Sequence, residues 1–251
     1  MLVFADGMNI TGEGMGIGAV AIKGSPYSFF SRKCKTTVVS PGVIEKTFLV
    51  DSRLLWGRVN RPSVFLTRFY TWIIDRYMQY PAFQFLLPFG SSIKSVLGLK
   101  SFFEPVSPVT EARFTYRISE NRIEVSCTIC PPKEHFTSIF ILNELAADSF
   151  THGFSNGKIT LPPSGWIRFE PGSDLYDPER HLRFSFSYNA PDGSVPGDTW
   201  WGRELTRDLR WAGFEIEFRG TKDPDQQLLC SYEVFFTTET PAGSEPGCLK
   251  G

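Results

Sequence analysis

The chain has 251 residues, 41% hydrophobic and 21% charged, a balance that suits a folded domain and excludes a disordered one. Its net charge of −1 provides no global field for holding nucleic acid, so no nucleic-acid partner is expected. Aromatic residues reach 15%, with 23 Phe among them, which favours strands and apolar pockets.

The opening "MLVFADGMNI" has neither a basic leader nor an apolar run of signal-peptide length. Nowhere does the sequence reach the ~18 uninterrupted apolar residues of a membrane span. Five cysteines (Cys34, Cys127, Cys130, Cys230, Cys248) are too scattered for a disulfide framework. The expectation is a soluble, cytoplasmic protein without a transmembrane span.

"TGEGMGIGA", Thr11 to Ala19, satisfies the dinucleotide-binding pattern through Gly14, Gly16 and Ala19. That motif needs a helix after it to receive the pyrophosphate. Here "VAIKGSPYSFFSRKCKTTVV" follows, which reads as strand, turn and strand. No cofactor is therefore expected. In a strand, Gly12, Gly14, Gly16 and Gly18 form a bare face that lets a ring, a helix or a coiled neighbouring strand approach the backbone. Packing room is the favoured use, and ligand approach the other.

Val43–Val50 and Leu54–Val59 read as further strands. Arg61 to Leu99 breaks the alternation and predicts a helical insertion. Pro62 suits a first helical turn. Thr67, Thr71, Asp75 and Gln79 recur as a polar stripe, and Phe65, Phe69, Trp72, Ile73 and Tyr77 as a wide apolar arc. Pro81 and Pro88 divide the region into short helices. Such an insertion can cap a β framework, act as a lid, or dock on a partner or membrane. Membrane docking is the least favoured, because only Arg68 and Arg76 lie on the first helix, with Asp75 beside them.

"ARFTYRISENRIEVSCTIC" predicts an antiparallel hairpin. Phe114, Tyr116, Ile118, Ile123, Val125, Cys127 and Ile129 share one face, and polar residues the other. Cys127-x-x-Cys130 lies at a strand end, where the spacing sends the thiols to opposite faces, and no second ligand pair accompanies it. With three histidines in all, no metal site is expected. Serine-hydrolase, zincin, P-loop and EF-hand motifs are missing as well.

Thr137–Asn143 reads as a strand, followed by "ELAADSFTHGFSNGK". Glu144 emerges from apolar surroundings that can raise a carboxyl pKa, which makes it the candidate proton-transfer group, with Asp148 or His152 as its partner. "HLRFSFSYN", "GFEIEFRG" and "QLLCSYEVFFT" alternate as strands. Between them, "GSVPGDTWWGRELTRDLRW" predicts a loop and a short helix bearing Arg203, Arg207 and Arg210. Trp166, Trp200 and Trp201 are candidate ligand walls, and Arg203 a clamp for an anionic ligand group.

Trp-Gly-Arg at Trp56–Arg58 and Trp201–Arg203 is a faint internal echo. The expected architecture is mainly β, an antiparallel barrel or sandwich forming one domain over 1–237, with the insertion at 61–99 and a disordered tail at 238–251. Two packed lipocalin-like halves, about 1–130 and 131–237, are an alternative by architecture only. The leading functional expectation is binding of an apolar or aromatic small molecule in a β-lined cavity, with acid–base isomerase, cyclase or lyase chemistry as its enzymatic form. Alternatives are a carbohydrate-binding or glycoside-processing protein, using Trp166, Trp200, Trp201 and Trp211, and a non-enzymatic interaction module built on the aromatic insertion.

Overall fold

The computed structural model describes residues 4–5, 8–9, 16–58, 60–77, 96–130, 132, 135–155, 158–160, 165–190, 196–205, 210–219 and 227–237. After a small two-stranded ribbon, β1 (Phe4–Ala5) and β2 (Met8–Asn9), a large antiparallel sheet begins. It contains β3 (Gly16–Gly24), β4 (Ser28–Ser40), β5 (Val43–Arg58), β6 (Arg61–Pro62), β7 (Lys100–Ile118), β8 (Arg122–Ile129) and β9 (Phe136–Leu145). It continues with β10 (His152–Ser155), β11 (Lys158–Thr160), β12 (Gly165–Arg168), β13 (Asp174–Asp177), β14 (Leu182–Asn189), β15 (Asp198–Leu205), β16 (Arg210–Arg219) and β17 (Leu228–Thr237).

Strand order is β11-β10-β13-β14-β17-β8-β7-β5-β4-β3-β9-β16-β15-β12, with β6 beside β5. Among the described residues the path ends at β11 and β12 without pairing them, so the sheet is not closed into a barrel. It does fold back on itself. Phe186 of β14 stacks on Phe214 of β16 at 5.1 Å, and Gly153 of β10 abuts the Trp201 ring of β15. Tyr116 of β7 donates a hydrogen bond to the Ile17 carbonyl of β3, at 3.1 Å. The two halves thus face each other across one continuous core. Tyr116, Tyr232, Phe114, Phe184, Phe214 and Phe218 fill it and are essentially inaccessible to water.

The β7–β8 hairpin keeps the expected alternation, with Phe114, Tyr116, Ile123, Val125, Cys127 and Ile129 inward. Val43–Val50 and Leu54–Arg58 join into one long strand, β5. The segment after Trp201 corrects a sequence expectation. It is a hairpin arm rather than a helix, and β15 pairs with β16 from Asp198↔Glu217 to Leu205↔Arg210. The β-favouring run Thr199, Trp200, Trp201 outweighs the helical spacing of the arginines. Arg207 lies outside the described residues.

The glycine stretch resolves into a bulge. β3 starts at Gly16, and the register with β9 slips between Ile17 and Ala19, which places Gly18 (φ +82°) toward the core. A Cβ there would collide with the Tyr116 hydroxyl and approach Phe114 at 3.2 Å. Packing room is therefore the use of Gly18. Gly12 and Gly14 lie outside the described residues.

Within 61–99 the described residues hold one short helix, α1 (Val64–Tyr77). Residues 78–95, with Gln79, Pro81 and Pro88, lie outside the described residues, and Lys100–Phe103 belongs to β7. Arg61 and Pro62 bridge to β5, so Pro62 precedes the helix instead of opening it. Ser63 caps α1, its Oγ accepting from Leu66 N at 3.3 Å, a contact worth about 1 kcal/mol.

The helix docks through its threonine stripe and turns part of its apolar arc outward. Thr67 is buried and accepts from Trp56 N at 3.3 Å. Thr71 donates to Thr67 O at 3.0 Å and reaches Pro26 O at 3.5 Å. Val64, Phe65, Phe69 and Trp72 face outward. The threonine stripe docks because it satisfies backbone groups of the sheet, which phenylalanine cannot do. No helix among the described residues is long and apolar enough to cross a membrane.

Candidate functional site

β3, β9, β16, β15 and β12 lie side by side, and their residues fall into rows on the face turned away from the core. One row is Gly16, Glu144, Gly213, Gly202 and Trp166. The next is Ala19, Leu142, Glu215, Trp200 and Arg168. Glycine and alanine leave the floor of this face low. A Cβ at Gly213 would run into the Asn143 carbonyl, and one at Gly202 into that of Gly165. Beside those bare positions Trp166 stacks on Trp211, centroids 4.0 Å apart and planes 15° from parallel.

Much of this outer face is shielded from water, although Arg168 at its edge is exposed. Ala19, Ala21, Leu142, Trp211 and Glu215 are all buried, the glutamate at 8% exposure. Burial therefore pushes the Glu215 carboxyl up to about 8, with the Glu217 and Glu144 charges adding to the shift and Lys23 opposing it. The buried Asp177 and Asp174 contrast with it, because they are ion-paired to Arg180 and Arg183. Glu215 has no such pair among the described residues. Glu217 is held differently again, accepting from Ser138 Oγ at 2.7 Å. Directly across from Glu215, the Trp200 indole buries its Nε1–H without a hydrogen-bond partner. A neutral acid, an unfilled donor and stacked indoles on a low floor form a setting in which a proton can be handed to an apolar molecule.

The residues expected from sequence distribute unevenly around this face. Glu144, Trp166 and Trp200 are on it, and Glu144 is close enough to Glu215 to raise its pKa. Trp201 points the other way, 5% exposed in the core against Gly153. Arg203 is half-buried, its Nε donating to Ala147 O at 3.1 Å. Burial lowers its pKa and the Asp148 charge opposes that, so Asp148 and Arg203 come together at the β9–β10 turn. His152 sits on β10, in the facing half of the sheet, with its Nδ1 2.9 Å from Thr151 Oγ1. No group of three metal-ligating side chains occurs among the described residues.

Sequence reasoning missed Glu215: the alternation of "GFEIEFRG" sets it opposite Phe214, Ile216 and Phe218 and gives no sign that its side is covered. The available signal was "GIGAVAI" in β3, which has no polar alternation and so reads as a strand covered on both sides. It also missed that Cys127 lies directly opposite Cys230, both free and buried. On the opposite half of the sheet, an open groove of about 480 Å³ is lined by Glu45, Lys46, Arg113, Phe114, Ser126 and Leu229 among others, a surface as polar as it is apolar.

No protein-family model matches the chain, and no curated protein matches it either.

Proposed function

We propose that this protein binds an apolar or aromatic small molecule against the Trp166–Trp200–Trp211 face and transfers a proton to or from it, in isomerase, cyclase or lyase chemistry. The β framework is used in a lipocalin-like way, presenting aromatic walls to an apolar ligand. One observation carries the reading: Glu215 is buried, has no ion pair among the described residues, and lies directly across from an indole N–H that lacks an acceptor, a setting that pushes its carboxyl up to about 8. A carboxyl protonated near neutral pH is suited to act as a general acid. Glu144 is the adjacent carboxylate that accepts or relays the proton, and Trp200 orients a polar atom of the ligand. Asp148, Arg203 and His152 take no part in this reading: Arg203 follows the inward parity of Trp201 and meets Asp148 at the β9–β10 turn, and His152 lies in the facing half of the sheet.

The indoles favour this reading over carbohydrate stacking. Sugar platforms are open rings, whereas Trp211 and Trp201 are buried and Trp166 is already stacked on an indole.

Native mass spectrometry of freshly purified protein, followed by solvent extraction, tests the proposal. The expected result is a stoichiometric apolar molecule that is lost from a Trp166→Ala, Trp200→Ala variant, and whose conversion, where found, is abolished in Glu215→Gln. A bound molecule retained in full by the tryptophan variant would overturn the assignment of the face.

A further inference from the structure

We infer that the outward face of α1 docks this protein on an anionic lipid bilayer, as a peripheral contact that leaves the sheet outside the membrane. This inference is independent of the ligand reading above. Along α1, Val64, Phe65, Phe69 and Trp72 are 46%, 75%, 46% and 53% exposed. Phe65 and Phe69 stack along the helix at 6.4 Å, and Phe69 and Trp72 at 6.3 Å, so the exposed rings form one continuous strip. Where the described chain resumes, Val96 and Leu97 are exposed at 86% and 52%. Isolated apolar surface residues are ordinary, but a continuous aromatic strip on a helix is not.

The charge around the strip selects the occupant. Between Arg58 and Phe103 the sequence holds six cations (Arg58, Arg61, Arg68, Arg76, Lys94, Lys100) against a single acid, Asp75, in a chain whose net charge is −1. Arg58, Arg61, Arg68 and Lys100 are exposed, and no ion pair holds them among the described residues. Glu104, just beyond that stretch, is already paired with Arg53 at 2.5 Å. Aromatic rings at a helix surface with a predominantly cationic surround are complementary to the interfacial zone of an anionic leaflet, where rings sit at headgroup level. Each cation there raises partitioning about fivefold at low salt. A protein partner would need a matching acidic rim, and a second copy would bring the same positive charges against themselves. The threonine face explains how the helix stays folded while displaying its rings: it is tethered to β5 and the β3–β4 turn through Thr67 and Thr71.

The test is co-sedimentation of the full chain with vesicles of phosphatidylcholine alone and with vesicles containing roughly one third phosphatidylglycerol. Wild type is expected to sediment with the anionic vesicles, and less as salt rises. Phe65→Ser with Phe69→Ser should reduce partitioning by at least about tenfold, since the removed surface is apolar. Arg61→Glu with Arg68→Glu should reduce it at low salt. Both pairs alter exposed positions, so an unchanged circular dichroism spectrum and melting temperature confirm folding. Failure to sediment with anionic vesicles overturns the inference, as does equal binding by the serine variant. A dimer that the serine variant dissolves, with no vesicle binding by wild type, would assign the face to a second copy and overturn it too.

Discussion

Trp200 and Glu215 are direct cross-strand neighbours on β15 and β16, and each brings a buried polar group to the same place. The indole N–H has no acceptor, and the carboxyl is pushed to about 8 by burial and then by its acidic neighbours. A buried ionised carboxylate without a partner is expensive, so the folded state keeps the proton.

That retention makes stability depend on pH with a definite sign. Between the ordinary glutamate range and about 8, the folded state holds a proton that the unfolded chain has released. Stability contributed by Glu215 is therefore complete below that range and lost as pH rises to 8, at up to about 1.4 kcal/mol per pH unit. Urea midpoints for wild type should fall over this window. In Glu215→Gln the fall should be smaller by one proton's worth, and an unchanged slope would contradict the assignment.

Gly18 is predicted to be intolerant of a side chain. Gly18→Ala places a Cβ in the left-handed region and against the Tyr116 hydroxyl, costing roughly 2–4 kcal/mol in thermal or urea unfolding. Adding Tyr116→Phe removes the colliding oxygen and should recover part of that loss, although alone it costs about 1 kcal/mol for its bond to Ile17. Gly172→Ala, also at positive φ but with open space around it, should cost only about 1–2 kcal/mol.

On α1 the costs should follow the observed orientation. Thr67→Val removes the hydroxyl that accepts from Trp56 N, so a loss of about 1–3 kcal/mol is expected. Phe65→Ser, at the most exposed position of the strip, should stay within about 0.5 kcal/mol of wild type. The reverse ranking in denaturation midpoints would mean that the helix sits the other way round.

Alkylation followed by peptide mass mapping should separate the cysteines. Cys34 is exposed, so iodoacetamide should modify it in the native protein. Cys127 and Cys230 face each other in the core, where burial holds the Cys230 thiol well above its ordinary pKa. They should react only after unfolding, and equal native rates for the three would contradict the register of β8 and β17.

Much of the sheet is legible in the sequence because one solvent-facing side forces a period of two. Arg113–Ile129 and Leu228–Phe236 announce themselves in that way. Alternation reports which residues point together, but it does not report whether the second side is also covered, and Glu215 was concealed there. Ala19 and Ala21 of β3, two strands away on the same face, hold the clue in their lack of polarity. The orientation of α1 was illegible for a different reason. Its apolar arc is the wider, yet the face that docks is the one whose hydroxyls meet backbone groups of the sheet. Trp200–Arg203 resembles a helix approach in its arginine spacing, and the β-favouring tryptophans decide for a strand. Within the candidate site, Glu144, Trp166 and Trp200 were found as residue types, but their shared face depends on a register that no local pattern encodes.

The most direct test of the account is a carbon-13 NMR titration of the glutamate side-chain carboxyls, with Glu215 assigned by comparison with Glu215→Gln. The account predicts one carboxyl, missing from the variant, that stays protonated at neutral pH and titrates near 8. A Glu215 resonance that titrates in the ordinary glutamate range would contradict it, and with it the role of this group as a proton donor.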